Sequence, residues 1–406
     1  MSRTFEIFGG DFNNRGGQLM LWAVLRRLRA AEPDVRAALD AEWKSPFAER
    51  AGYGLYTLFP SLPRSRPRKA KYIRPVGRLV SKVLDQDRLA GYGLVGSDHA
   101  EGLLDIAGYA YGDKWSAAMC DISRARFHNY RRRGRPVILL PQMLGPFEKT
   151  ENREAFQRMA EEVTRIYARD SVSAQAARAV LSDGALVREA PDLTIEVPAG
   201  QLPEGFDATE PYCVVVPNAR MLDKAGPEWA DHYLDVLKQA IAQLGGQGVR
   251  VVVMCHEANR GDADLAESLA EAEGLQWLRD PDPLRLKAVL AGARFVISSR
   301  FHAVVSALSS AVPTLTLGWA HKYNALHEDF DCADLYIPAK PDAATMQAHL
   351  ERLLDAHERD LLSARLAAAK ARMLPLLETM WSEVYDALDL SGRPDVDAPT
   401  KAVVSH

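Results

Sequence analysis

The sequence predicts an α/β protein of two Rossmann-like domains facing a cleft, with a C-terminal helical extension. Three observations carry this. The chain opens as a short strand (Thr4–Phe8), a Gly-rich loop (residues 9–17) and an amphipathic helix (residues 18–30), the way a doubly wound domain begins. Apolar runs of strand length then alternate with helical periodicity in both halves. Residues 197–211 are rich in Pro and Gly and lack periodicity, which marks a linker. A chain of 406 residues is long enough for two domains with their own cores. The expected division is 1–197, 211–340, a helical extension over 341–390 and a disordered tail over 391–406.

In the first half, strands are expected at 35–39, 55–59, 103–107, 136–140, 164–168 and 186–189, with helices at 113–133, 153–163 and 171–181. Leu21, Leu25 and Leu28 line one side of the first helix, with Arg26, Arg27 and Arg29 off it. Asp170 is placed to cap the helix at 171–181. In the second half, strands are expected at 213–216, 249–254, 276–278, 295–297 and 314–317, with helices at 228–244, 262–272 and 284–290. Gly245-Gly246 is a stop signal for the first of these helices. Beyond Pro341 the chain reads as helical to about residue 389, with a break near Pro375.

Composition narrows the function. The net charge of -4 implies no global field for nucleic acid. The four cysteines, Cys120, Cys213, Cys255 and Cys332, have neither metal-ligand nor redox spacing, and Cys213 and Cys255 read as buried thiols, which fits a reducing compartment. The N-terminus has no apolar h-region. The longest uncharged run, residues 303–320, is interrupted by serines, Pro313 and Gly318 and reads as buried helix plus strand. A soluble, cytoplasmic protein is expected.

Ligands of doubly wound sheets bind beyond the carboxyl ends of the strands. This gathers residues 13–17, 108–113, 142–146, Arg169, 218–220 and 300–302 as candidates. The strongest is the junction at Ser298-Ser299-Arg300-Phe301-His302. A strand opening into a small-residue helix presents backbone N–H groups that suit an anion. Arg300 brings a guanidinium that grips carboxylate or phosphate, and His302 brings a group that exchanges protons near neutral pH. The competing readings are an Arg300 ion pair with Asp280 or Asp282, and a buried structural histidine. Lys322 follows the last strand within reach of the same pocket, while His321 and His327 read as surface groups and Trp319 as a wall or as packing. Arg169 is either an anion ligand or a partner of Asp170 and its neighbours. The loop with Asn14, Gly16 and Gly17 either wraps a phosphate or sugar or simply makes a tight turn. It is neither a GxGxxG fingerprint nor a Walker loop. Asp113 and Asn218 are further loop candidates. The run from Arg64 to Lys82 carries eight basic residues and no acid. Its readings are a solvated face, a site for an anionic acceptor or nucleic acid, or a peripheral membrane contact. No metal motif stands out, and no cofactor is expected.

These residues resemble the polysaccharide pyruvyl transferase family, whose members transfer pyruvate from phosphoenolpyruvate onto sugar hydroxyls as a ketal. The match is most specific at Ser299 to Ala303, then Ala307, Val312-Pro313 and Lys322, similar to the family's R-[LF]-H-A element, small-residue helix, Val-Pro step and downstream Lys. Arg169-Asp170 with Ser173 resembles its R-D-x-x-S element, Leu144-Gly145-Pro146 its I-G-P loop, and Ala190-Pro191-Asp192 its P-D turn. Residues 105–115 are similar to a segment of one branch of the family. At Asn14-Arg15-Gly16-Gly17 the family's N-x-G-D ends in glycine instead of the acid. The resemblance implies a GT-B-like fold, phosphoenolpyruvate as donor, and a sugar or lipid-linked oligosaccharide as acceptor. It carries Arg300, Phe301, Lys322 and Arg169 over as donor-binding residues and His302 as the general acid that protonates the enol methylene carbon. This scheme requires no metal. The rival readings are a GT-B glycosyltransferase that uses a nucleotide sugar and a non-catalytic sugar-binding relative.

Overall fold

The computed structural model describes residues 2–42, 44–59 and 85–390. The basic run from Arg64 to Lys82 and the tail from Ser391 lie outside them. The described residues form two parallel sheets flanked by helices. The first sheet is built from β1 (Thr4–Phe8), β2 (Arg36–Leu39), β3 (Tyr56–Phe59), β4 (Leu94–Gly96), β5 (Gly102–Asp105), β6 (Val137–Gln142), β7 (Arg165–Ala168) and β8 (Val187–Glu189), in the order β4-β3-β2-β1-β5-β6-β7-β8. The second contains β9 (Tyr212–Val216), β10 (Arg250–Cys255), β11 (Gln276–Arg279), β12 (Val296–Ser298), β13 (Thr314–Leu317) and β14 (Tyr336–Ile337), in the order β11-β10-β9-β12-β13-β14. In each sheet the chain leaves the first strand to one side and later returns to the other side of it. The switch points therefore fall at β1/β5 and β9/β12. The continuous apolar runs of β6 and β9 are buried along their whole length, as parallel strands covered on both faces require.

The helices used below are α1 (Arg15–Ala31), α2 (Phe47–Gly52), α3 (Ala118–Arg131), α4 (Ser171–Val180), α5 (Tyr233–Gly246), α6 (Arg260–Glu273), α7 (Phe301–Leu308), α8 (His321–Asp329) and α9 (Ala356–Ala387). Asp170 caps α4 as expected, accepting from Ser173 N at 2.7 Å. Helix α1 starts earlier than its apolar periodicity indicates. Asn14 Oδ1 accepts from Gly17 N at 3.1 Å, so the end of the Gly-rich loop is the first helical turn. Arg27 is buried in an ion pair with Glu378 instead of lying off the packed side. Helix α8, β4 and β14 lack a strong sequence signal and were not expected. The expected break near Pro375 is absent, because α9 runs through it. Interior proline costs about 3 kcal/mol, and burial of Leu366, Ala369, Leu377 and Trp381 on the same helix outweighs that cost.

Two compact units emerge, and they interleave in sequence. Of the described residues, those within 2–12, 20–193 and 376–390 make up one, and 13–19 and 194–375 the other. The expected division was a linear succession of segments. The first turn of α1 instead groups with the second unit, and α9 changes unit at Pro375. The first unit's core lies around Leu103, Phe127, Leu139 and Phe156. The second's lies around Val214, Val252, Val289 and Val296.

Candidate functional site

The second unit brings one set of strand ends together. The register pairs Val215 with Val253 and Val216 with Ser298. The residues after β9, β10 and β12 therefore emerge at the same edge of the sheet, at its switch point. After β9 comes Asn218, after β10 the pair His256-Glu257, and after β12 the turn Ser299-Arg300 that opens α7.

That turn is held from three sides. The Ser299 carbonyl accepts from Asn218 Nδ2 and from Tyr323 Oη, each at 2.7 Å. The Ser299 hydroxyl lies 2.9 Å from Tyr233 Oη, which in turn accepts from Asn218 N at 3.1 Å. Arg300 N donates to Ser298 Oγ at 3.1 Å. Asn218, a loop candidate from the sequence, thus has its side chain committed to shaping the turn; its Oδ1 also accepts from Arg220 N.

Arg300 forms an ion pair with Asp262 of α6, not with Asp280 or Asp282. Burial opposes the guanidinium charge, but Asp262 and Glu257 together raise its pKa. Its buried Nε has no hydrogen-bond partner among the described residues. No side chain caps the start of α7. The Phe301 ring meets the His302 ring edge-on with centroids 5.3 Å apart. Lys322 Nζ lies over the Phe301 ring at 5.0 Å and over Tyr323 at 5.4 Å. The buried Phe301 ring therefore lies against both His302 and Lys322.

Two features were not read from the sequence. The first is the contact of Gly16, itself a loop candidate at the start of α1, with His302. A Cβ placed on Gly16 would lie 1.8 Å from His302 Nδ1, so the imidazole occupies the space that only glycine leaves. The backbone N–H of the neighbouring Arg15 donates to the Glu257 carboxylate. The second is His256. It is 1% exposed, and neither ring nitrogen has a hydrogen-bond partner among the described residues. Burial, with His302, Arg300, Arg15 and Lys287 around it, pushes its pKa down to about 3. Beside it, burial raises the Glu257 carboxyl to about 7. A neutral, buried, partnerless imidazole amid cations is the environment an anion would complete. The sequence clue was polar His-Glu directly after the apolar strand VVVMC, which is the strand-end rule applied to β10.

The remaining candidates have other surroundings. Arg169 and Asp113 belong to the first unit. Arg169 Nη1 pairs with Asp192 Oδ2 at 3.0 Å, both groups being buried. Asp113 Oδ2 accepts from Glu148 N and Lys149 N, and its Oδ1 accepts from Asn152 Nδ2, so its carboxylate ties two loops together. Asn14 and Gly17 act at the start of α1. His327, expected at the surface, is fully buried. It bridges Thr316 Oγ1 at 2.7 Å and Cys332 O at 3.0 Å, and burial lowers its pKa to about 4. All four cysteines are buried free thiols. Among the described residues no helix is long and apolar enough to cross a membrane.

A family model described as polysaccharide pyruvyl transferase matches residues 14–321, a span that includes every residue of this cluster but Lys322 and Tyr323. No curated protein shows significant similarity to the chain. Solved structures do match it. A UDP co-structure of MnaA from S. aureus has 11% identity, covers 96% of this chain and 98% of its own, and gives a TM-score of 0.58. Anabaena Alr3699/HepE in complex with UDP and glucose has 13% identity, covers 96% and 100%, and also gives 0.58. The UDP-GlcNAc 2-epimerase of Methanocaldococcus jannaschii has 9% identity, covers 87% and 94%, and gives 0.54. At such identities the likeness establishes a shared GT-B-like fold and nothing more.

Proposed function

The chain belongs to the polysaccharide pyruvyl transferase family, and from that premise we propose that it moves pyruvate from phosphoenolpyruvate to two hydroxyls of a saccharide, as a ketal. The observation that carries the donor assignment is the set of buried, partnerless nitrogens on Arg300 and His256, beside the uncapped start of α7. Phosphoenolpyruvate brings a carboxylate and a phosphate, and this set offers donors of the right kind for both. Lys322 adds a point charge at the rim. Arg169, already paired with Asp192, is left out of the assignment.

His302 is the general acid. It gives its proton to the methylene carbon, leaving an oxocarbenium-like centre at the adjacent carbon. A saccharide hydroxyl adds there, and its proton restores His302. The carbon–oxygen bond to phosphate then breaks, phosphate leaves with its bonding pair, and a second hydroxyl closes the ketal and gives its proton to phosphate. Phe301 and Gly16 fix the imidazole from two sides and so limit its rotamers.

The test is phosphate release from phosphoenolpyruvate that depends on an added saccharide and is lost in His302→Gln. Thermal shift separates the rival reading, since a ligand at about a hundred times its Kd stabilises by about 2.7 kcal/mol. Stabilisation by UDP-sugars and none by phosphoenolpyruvate would favour nucleotide-sugar chemistry.

A further inference from the structure

We propose that the first unit contains a dedicated saccharide pocket at the carboxyl ends of β1 and β2, with Phe47 as its aromatic platform and Asp40 as its principal hydroxyl acceptor. A cavity of about 770 Å³ opens there. Its floor is the end of β1 and the loop Gly9-Gly10-Asp11; its walls are the end of β2, the start of α2, and Met119 and Ile122 of α3. Gly9 turns the chain at φ +87, where a Cβ would strike Ala107 N at 2.6 Å. This tight turn carries the loop along the cavity floor.

The chemistry of the lining selects the ligand class. Four carboxylates, Glu6, Asp11, Asp40 and Glu42, face two cations, Lys44 and Arg50, so the pocket repels a strongly anionic ligand. Glu6 is neutralised from behind. Arg126 Nε donates to both of its oxygens at 2.9 Å, and Tyr130 Oη donates at 2.5 Å. Arg126 also reaches Asp40 Oδ2 at 3.5 Å, while the buried Asp40 Oδ1 has no hydrogen-bond partner among the described residues. An arginine-backed carboxylate with one oxygen left over suits a hydroxyl donor. Phe47 lines the cavity with 66% of its surface exposed, so its ring face is open to a ligand. A carboxylate acceptor beside an aromatic face fits a neutral pyranose, which pairs hydroxyl edges with an apolar C–H face. The volume lies within the range of small-ligand sites and admits more than one sugar ring. The proposal gains its biological sense from the saccharide acceptor above, but its test is independent of pyruvyl transfer.

The experiment is saturation-transfer NMR on the full chain with lactose, cellobiose and chitobiose, without phosphoenolpyruvate. At least one should give signals. Phe47→Ala and Asp40→Asn should each weaken that binding roughly tenfold, the cost of removing an anchor, with melting temperature unchanged in Phe47→Ala. Absence of signal from all three disaccharides, or binding by Phe47→Ala at wild-type strength, overturns the pocket. Failure of saccharide-dependent phosphate release with Phe47-dependent saccharide binding intact overturns the transferase reading and leaves the pocket standing.

Discussion

The His302 imidazole fills the place where a side chain on Gly16 would begin, 1.8 Å from Nδ1 to the ideal Cβ. A residue in the first turn of α1 thus sets the rotamer space of the proposed general acid. Gly16→Ala must displace the ring, and displacement of about 1 Å costs about a hundredfold in rate. Turnover should fall by that order while the protein stays folded by circular dichroism. Wild-type turnover in this variant would show that the contact does not position the ring.

His302→Gln keeps the bulk and removes the proton. Loss of general acid catalysis costs roughly a hundred- to ten-thousandfold. Thermal stabilisation by phosphoenolpyruvate should persist, because the proposed anion contacts are those of Arg300 and His256. Retained pyruvyl transfer would sink the catalytic assignment.

The Ser299 carbonyl takes hydrogen bonds from Tyr323 and Asn218. Tyr323→Phe removes one and should cost about 1 kcal/mol in denaturant unfolding. Asn218→Ala removes the other donor and a turn acceptor, and the two should be non-additive because they share one carbonyl. Additive effects would mean that the turn is held elsewhere.

Stability should depend on pH with two opposed signs. The folded pKa of His256 is about 3, against about 6.5 for the unfolded chain. The unfolded state binds more protons in that window, so this contribution is present above about 6.5 and is lost as pH falls towards 3. Glu257 is raised to about 7 from about 4.3. Its contribution is full at low pH and is lost as pH rises through 7. In urea unfolding, His256→Gln should flatten the decline on the acid side, and Glu257→Gln the decline towards neutrality. Unchanged profiles would show that neither group is held as described.

Arg169 and Asp192 are buried together at 3.0 Å. Breaking a buried pair costs roughly 3–5 kcal/mol, so Asp192→Asn should lower the unfolding free energy by that order. A negligible change would return Arg169 to the list of anion ligands.

What the sequence made legible was local. Asp170 capped α4 because a cap acts over three residues. β6 and β9 stood out because strands buried on both faces are apolar throughout. The Arg300–His302 junction was visible for the same reason, as a strand end and a helix start lie side by side in the chain. Helix α1 was placed late because its first turn holds two glycines and no apolar stripe, and it is made instead by the Asn14 cap. The break expected at Pro375 failed because the local cost of proline is smaller than the burial gained by the helix around it.

The sequence by itself determined the α/β class, the strand ends that carry polar residues, and the family element at Ser299 to Ala303. Only the tertiary structure decided that Asp262 balances Arg300, that His256 is buried among cations without a partner, and that Gly16 makes room for His302. Periodicity and capping are energies between near neighbours, so they leave a mark in the order of residues. Ion pairing, desolvation and close approach join residues far apart in the chain, and parallel strands bring those residues to one edge only when the sheet has formed.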